Sequence, residues 1–241
     1  MQNSTNIPFL TLLNWLLLAS LVFFALIIVN DLGVLPVVIA SDVTRICALV
    51  LLIFILTSVH CGYRSWFIAH QFMALSTLQS GLKITSGHIN KRLEDYPESL
   101  AKQYLVATRN LDSESDATQQ GELLVEGIRG SHKVGWFIVG VLIKLGLLGT
   151  VIGFVMMLGT VSDLDTLDIS GVKQLMQQMT KGMGIAMNTT MVGLISSILL
   201  GLQYLLLDRS ADKFVVATIE LGQNAREIQN TPLPQKLERI S

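Results

Sequence analysis

The sequence has little charge and only two cysteines. Charged residues make up 15% of the chain, against roughly 25% in an ordinary soluble domain. Cys47 and Cys61 are too few for a disulfide framework, and on one helix they would stand roughly 21 Å apart. The formal net charge of −1 leaves no basic excess to bind nucleic acid. These shortages argue against a soluble domain, a disulfide-stabilised domain and a nucleic-acid-binding protein.

Motifs for enzyme chemistry are missing as well. The sequence contains no Walker A motif, no nucleophile elbow and no Cys or His pair at metal-ligand spacing. The histidines are scattered along the chain, at His60, His70, His88 and His132. We therefore expect a protein that is not an enzyme, with no catalytic residue, no metal site and no cofactor.

What the sequence does have is apolar residues, which make up 51% of the chain and give it a mean hydropathy of +0.55. They gather into four runs, at residues 9–29, 46–59, 134–160 and 182–207. The second run is short for a membrane helix, but Arg45 and Arg64 at its ends can extend towards the membrane surface. A signal peptide fits the first run poorly, because the run is too long and residues 1–8 carry no Lys or Arg. The pattern predicts an all-α membrane protein with four transmembrane helices.

Basic residues lie mainly in the segment between the second and third runs and in the chain after the fourth. The positive-inside rule therefore places both termini and the middle segment in the cytoplasm. Within the middle segment we expect helical structure, with an acidic loop at 111–120, and a polar loop at 162–174 should join the last two spans. The predicted domains are a transmembrane hairpin at 1–62, a cytoplasmic helical segment at 63–133, a channel-forming transmembrane hairpin at 134–208 and a cytoplasmic tail at 209–241.

Small residues recur at three- to four-residue spacing in the last two spans. Such spacing lets helix backbones approach closely in lipid, where burial alone gives helices no reason to associate. We interpret these positions as helix-packing residues: Gly146, Gly149 and Gly153 in the third span, and Ala186, Gly193, Ser197 and Gly201 in the fourth.

Polar residues near the middle of these two spans form the candidate site. If the third helix leaves the membrane near residue 160, Thr150 lies about 15 Å inside it, and Thr190 lies about 12 Å inside a fourth helix that enters near residue 182. Both depths approach the middle of a hydrocarbon layer about 30 Å thick. Asn188 and Thr189 add polarity in the same turn. A lone membrane threonine usually bonds to its own helix, but this group is better explained as a polar lining for an ion or for a group of a partner protein.

No Asp, Glu or His lies well inside any span, and Lys144 falls near the cytoplasmic end of the third. A proton path needs a group that takes up and releases a proton, and a threonine hydroxyl cannot do so. If the chain moves protons, a partner protein must supply a carboxylate. Hydroxyls also ligate sodium, so the transported ion can be H⁺ or Na⁺.

Two segments carry a resemblance to a known family. Residues 146–153, GLLGTVIG, resemble the GLLGTVxG signature of the MotA/TolQ/ExbB proton-channel family, and residues 186–194, AMNTTMVGL, resemble its ALxxTAxGL signature. Elsewhere the resemblance covers only the layout of spans. Family members often have a proline just before the first signature and another after the second signature. In this sequence Ile143 and Leu199 occupy those two positions.

The resemblance implies a pentamer in the bacterial inner membrane, surrounding a dimer of a MotB/TolR/ExbD-like single-span partner. An intramembrane aspartate of that partner would take up the ion, and Thr150 and Thr190 match the threonines that face it. Ion flow would drive rotation and mechanical work. Two alternatives remain: a non-conducting oligomeric scaffold for a partner, and a small transporter, for which the inverted repeats and broken helices are missing.

Overall fold

The structure is a computed structural model and describes residues 7–33, 36, 45–84, 99–109, 114–161 and 169–230. Over these residues it is helical and contains no strand. The helices are α1 (Ile7–Asp31), α2 (Ile46–Ile84), α3 (Leu100–Arg109), α4 (Glu114–Val161) and α5 (Ile169–Asn230).

Three helices in the described part of the chain, α2, α4 and α5, are long and apolar enough to cross a membrane. The apolar stretch found in α1 is shorter and covers Trp15–Asp31. The prediction of a helical membrane protein is therefore confirmed for three long helices, while the fourth span stays a prediction.

Two helix boundaries differ from the sequence prediction. The acidic loop expected at 111–120 is wrong from residue 114 onward, because α4 begins at Glu114. A carboxylate in the first turn is favoured by the helix dipole, and Asp116 supplies one. Likewise α5 begins at Ile169, inside the predicted polar loop at 162–174. The following residues are rich in Met, Gln, Leu and Lys, which are strong helix formers.

The chain forms two compact units. The first, here called the apolar unit, comprises Leu13–Arg64 and Ser131–Leu207. The second, the polar unit, comprises Ser65–Gly130 together with Met1–Leu12 and Asp208–Ser241.

The apolar unit has a buried seam and a large exposed apolar surface. Cys47 and Cys61 are both buried in the seam and form no disulfide bond. Phe23, Phe137 and Ile198 are exposed at 66%, 67% and 68%. A water-soluble surface seldom carries so many large apolar side chains together, whereas lipid tails or neighbouring subunits cover them at no cost. The surface of this unit is that of a membrane protein.

Tyr204 lies at the centre of the apolar unit and is fully buried. Its hydroxyl is 3.2 Å from Nδ1 of His60, which ties α5 to α2. Its ring lies so close to the backbone of Gly135 on α4 that a Cβ at Gly135 would overlap ring atoms. The absence of a side chain at Gly135 therefore makes room for the Tyr204 ring.

Replacing Gly135 with alanine is expected to destabilise the protein by about 1–3 kcal/mol, because the enclosed Tyr204 ring must shift to admit a methyl group. Thermal unfolding of the purified protein in detergent measures the effect. The matched control is Gly140→Ala on the same helix, where a Cβ would meet nothing within 4 Å. Equal melting temperatures for the two variants would contradict the packing described for Tyr204.

In the polar unit, α3 is held at both ends. Ser99 caps its start, since the Ser99 hydroxyl accepts a hydrogen bond from the Lys102 amide at 3.2 Å. Near its end the Thr108 carbonyl accepts two hydrogen bonds from the Arg226 guanidinium, at 3.0 and 2.7 Å. Phe72 and Phe214 meet edge to face nearby in the unit's core, with ring centroids 5.3 Å apart.

Candidate functional site

The two glycines at the centre of the α4–α5 interface bring the helix backbones into contact. A Cβ at Gly193 would lie 2.9 Å from the Gly146 Cα and 3.0 Å from the Leu142 carbonyl oxygen. A Cβ at Gly146 would lie 3.3 Å from the Gly193 Cα. Backbone atoms cannot move aside as a flexible side chain can, so no larger residue fits at Gly193. Gly146 is the first residue of the motif at 146–153, and Gly193 lies near the end of the motif at 186–194.

The close contact continues along both helices. A Cβ at Gly153 would lie 2.9 Å from the Ala186 Cβ, and one at Gly182 would lie 2.9 Å from the Met157 Cβ. The predicted packing residues Gly153 and Ala186 thus face each other. Gly182 belongs to the same contact and was not predicted as a packing residue, although its place in the run of small residues could have indicated it.

Towards the other end of the interface the contact is looser and more polar. The Ser197 hydroxyl donates to the Val139 carbonyl at 3.0 Å, across the two helices. A Cβ at Gly201 would meet only a Val139 methyl group, at an ordinary 3.7 Å. Gly201 is therefore not required for close approach, whereas Ser197 contributes a hydrogen bond.

Thr190 makes a polar contact between the two motif segments. Its hydroxyl donates to the Gly146 carbonyl at 3.2 Å. In an α-helix that carbonyl also accepts the amide of the residue four positions on, which is Thr150. The two candidate threonines are thus joined through a single carbonyl group. Each is only partly buried, so both remain partly accessible.

The other two threonine hydroxyls bond within their own helices. The Thr150 hydroxyl donates to the Leu147 carbonyl at 2.6 Å. Thr189 is 1% exposed, lies against Gly149, and donates to the Ile185 and Ala186 carbonyls at 3.1 and 2.9 Å. Of two adjacent threonines, Thr189 fills the interface and Thr190 lies at its edge.

The two helix segments that carry these threonines contain no acidic residue. Asn188 is partly buried in the same turn, and Lys144 is exposed on α4. Residues 134–160 contain no Asp, Glu or His, and residues 182–207 contain none either. Among the described residues no group of three or more His, Cys, Asp or Glu could hold a metal ion. The arrangement offers hydroxyl and carbonyl oxygens to an ion or a polar partner, and no group that carries a proton.

One polar link in the apolar unit was missed by the sequence analysis. Ser58 on α2 donates to the Gln203 side chain on α5 at 2.9 Å, and Gln203 is 1% exposed. A lone glutamine in an apolar run was the available signal, because a buried amide needs a partner. This link and the His60–Tyr204 contact both join α2 to α5.

The structure thus shows a helical membrane protein in which two apolar helices pack tightly and share a polar contact. The comparison with family models is more specific: residues 108–219 match the model described as "MotA/TolQ/ExbB proton channel family". Both motif segments lie inside the match, so the resemblance predicted from them is confirmed. The family is one of proton channels rather than enzymes. No curated protein and no solved structure matches the chain.

Proposed function

We propose that this chain is the channel-forming subunit of an ion-driven rotary motor complex in a bacterial inner membrane. The observation that carries the proposal is the Thr190–Gly146 hydrogen bond, which places the two partly buried threonines around one carbonyl of an apolar interface. In this proposal Thr150 and Thr190 line the ion path, with Asn188 beside them. Thr189 supports the lining by fixing how α5 packs against α4.

The proton carrier in this proposal is a carboxylate from a partner chain. Hydroxyl and carbonyl oxygens can hydrogen-bond a protonated or ionised carboxyl group, but at accessible pH they cannot exchange a proton themselves. A single-span partner of the MotB/TolR/ExbD kind, with an aspartate at the level of Thr190, would complete the path. The ion is then H⁺, and Na⁺ is the alternative because the same oxygens can ligate it.

We further propose that α1 is a fourth span and that both termini are cytoplasmic. The 25 residues of α1 extend about 37 Å, which exceeds a hydrocarbon layer of about 30 Å. The only charged residue in α1 is Asp31, at its last position. The exposed apolar side chains of the unit would face lipid and neighbouring copies in a pentamer.

Native mass spectrometry of the complex, purified from its own host in mild detergent, tests the proposed partner and stoichiometry. We expect five copies of this chain with two copies of a single-span protein that has an intramembrane aspartate. A stable homo-oligomer that carries no acidic partner, after cross-linking before extraction has excluded loss in detergent, would contradict the motor proposal.

The alternative function is a non-conducting scaffold that holds a partner in the same type of oligomer. It is favoured by the hydroxyls of Thr150 and Thr189, which are already bonded to carbonyls of their own helices. A scaffold would leave proteoliposomes impermeable to ions even with the partner present. Ion flux therefore separates the two functions.

A further inference from the structure

A cavity of about 770 Å³ lies in the polar unit, among α3, the first turns of α4 and the last turns of α5. Pockets that bind small molecules commonly have volumes of about 300–1,000 Å³. Much of its wall is apolar or has no side chain, at Ala117, Gly121, Val125, Ile219 and Gly222. None of the predicted ion-path residues lines it.

Two glycines give the cavity its form. A Cβ at Gly222 would lie 2.9 Å from Cε1 of Tyr104, so glycine lets the aromatic ring form part of the wall. A Cβ at Gly121 would meet only a methyl group of Ile219, at 3.8 Å. The space beside Gly121 is therefore open to a ligand and can be filled by a larger side chain.

Tyr104 contributes an unused polar group to this cavity. The residue is only 8% exposed, yet its hydroxyl has no hydrogen-bond partner among the described residues. Burial raises the pKa of Tyr104, and the nearby positive charge of Arg226 opposes this only in part. The phenol is thus protonated at neutral pH and available as a donor or acceptor. The hydroxyl oxygen is not among the buried atoms that lack a partner, so water or a ligand in the cavity can reach it.

The charge of the lining selects for a cation. Glu122 and Glu126 lie one helical turn apart on α4, and Arg226 is the positive residue of the lining. The Nε and Nη2 groups of Arg226 both donate to the Thr108 carbonyl. Glu122 forms no ion pair within the part of the chain that the structure describes. Two carboxylates against one guanidinium give the lining a net negative charge, which favours a cation over an anion.

We propose that this cavity binds a small organic cation, namely a primary amine with an apolar body. Its ammonium group would bind the Glu122 carboxylate, and the Tyr104 hydroxyl would accept one of its N–H groups. Its apolar body would lie in the space beside Gly121. The site is separate from the ion path, and the proposal does not depend on the chain being a motor subunit.

Equilibrium dialysis of the full-length protein in lipid nanodiscs tests this proposal, with empty nanodiscs as the correction for partitioning into lipid. The probe is phenethylamine, compared with neutral phenethyl alcohol and anionic hydrocinnamate. We expect saturable binding of the amine alone. Glu122→Gln should weaken it by about tenfold, the effect of losing one charge-assisted hydrogen bond.

The second variant fills the cavity. Gly121→Leu should abolish binding, whereas Gly127→Leu on the same helix should leave it unchanged, because a Cβ at Gly127 meets nothing within 4 Å. Equal binding of amine and alcohol, or unaltered binding in Glu122→Gln, would overturn the proposal. The proposal would also be overturned if the wild type bound no amine and Gly121→Leu changed the oligomeric mass. The cavity would then be a contact between copies of the chain.

Discussion

Replacing Thr190 with valine is expected to reduce ion flux through the complex by about ten- to a hundredfold. Valine has nearly the shape of threonine but no hydroxyl, so the change removes the donor to the Gly146 carbonyl and one oxygen of the proposed lining. A hydrogen bond to a charged or transferring group is worth about 1.5–3 kcal/mol, and each 1.4 kcal/mol is a factor of ten in rate. Flux into proteoliposomes, followed with an internal pH dye, gives the measurement.

Assembly should survive this substitution. The Gly146 carbonyl keeps its bond to the Thr150 amide, and a hydrogen bond between membrane helices contributes only about 0.6 kcal/mol on average. Two control variants isolate the hydroxyl. Thr190→Ser retains it and should keep most of the flux, and Thr180→Val alters an exposed threonine on the same helix that bonds back to Met176. Flux in an assembled Thr190→Val complex within twofold of the wild type would refute the assignment of Thr190.

Replacing Gly193 with leucine should prevent α4 and α5 from packing. The first atom of the new side chain would lie 2.9 Å from the Gly146 Cα and 3.0 Å from the Leu142 carbonyl. Overpacking usually costs about 1–3 kcal/mol when side chains can shift, and more is expected here because both obstacles are backbone atoms. We expect the variant to be lost to aggregation or proteolysis instead of purifying as a defined oligomer.

The matched control is Gly184→Leu on the same helix, where a Cβ would meet nothing within 4 Å. It should purify like the wild type. The readout is the yield of the oligomer in size-exclusion chromatography at equal expression. A Gly193→Leu protein that elutes as the wild-type oligomer would show that the glycine contact is dispensable.

The interface between the last two apolar helices was the most predictable part of the molecule. Spacing alone indicated that small residues would meet there, and Gly146 does lie against Gly193 in the structure. Helix packing in lipid depends on steric fit, and the positions of glycines in the sequence indicate where two helix backbones can approach closely. The ends of the helices were less predictable. A stretch of mixed polar and apolar residues, such as 169–181, is compatible with both a loop and an amphipathic turn.

The sequence alone could not predict that Thr189 lies inside the interface and Thr190 at its edge. Adjacent helix residues point about 100° apart, so one of the pair had to face the interface and the other its edge. Which one depends on the rotation of α5 against α4, and the contact of Thr189 with Gly149 fixes that rotation. Nothing in the sequence indicated the cavity near Tyr104 either, since one of its walls comes from α5, which is distant in the chain from α3 and α4.

Whether a partner carboxylate carries the ion is tested most directly by comparing two kinds of proteoliposome. One contains the complex as purified from its host, and the other contains this chain alone at equal protein content. With an imposed membrane potential, we expect proton uptake in the first and none above empty liposomes in the second. Equal uptake in both would contradict the need for a partner carboxylate, and no uptake in either would support the scaffold.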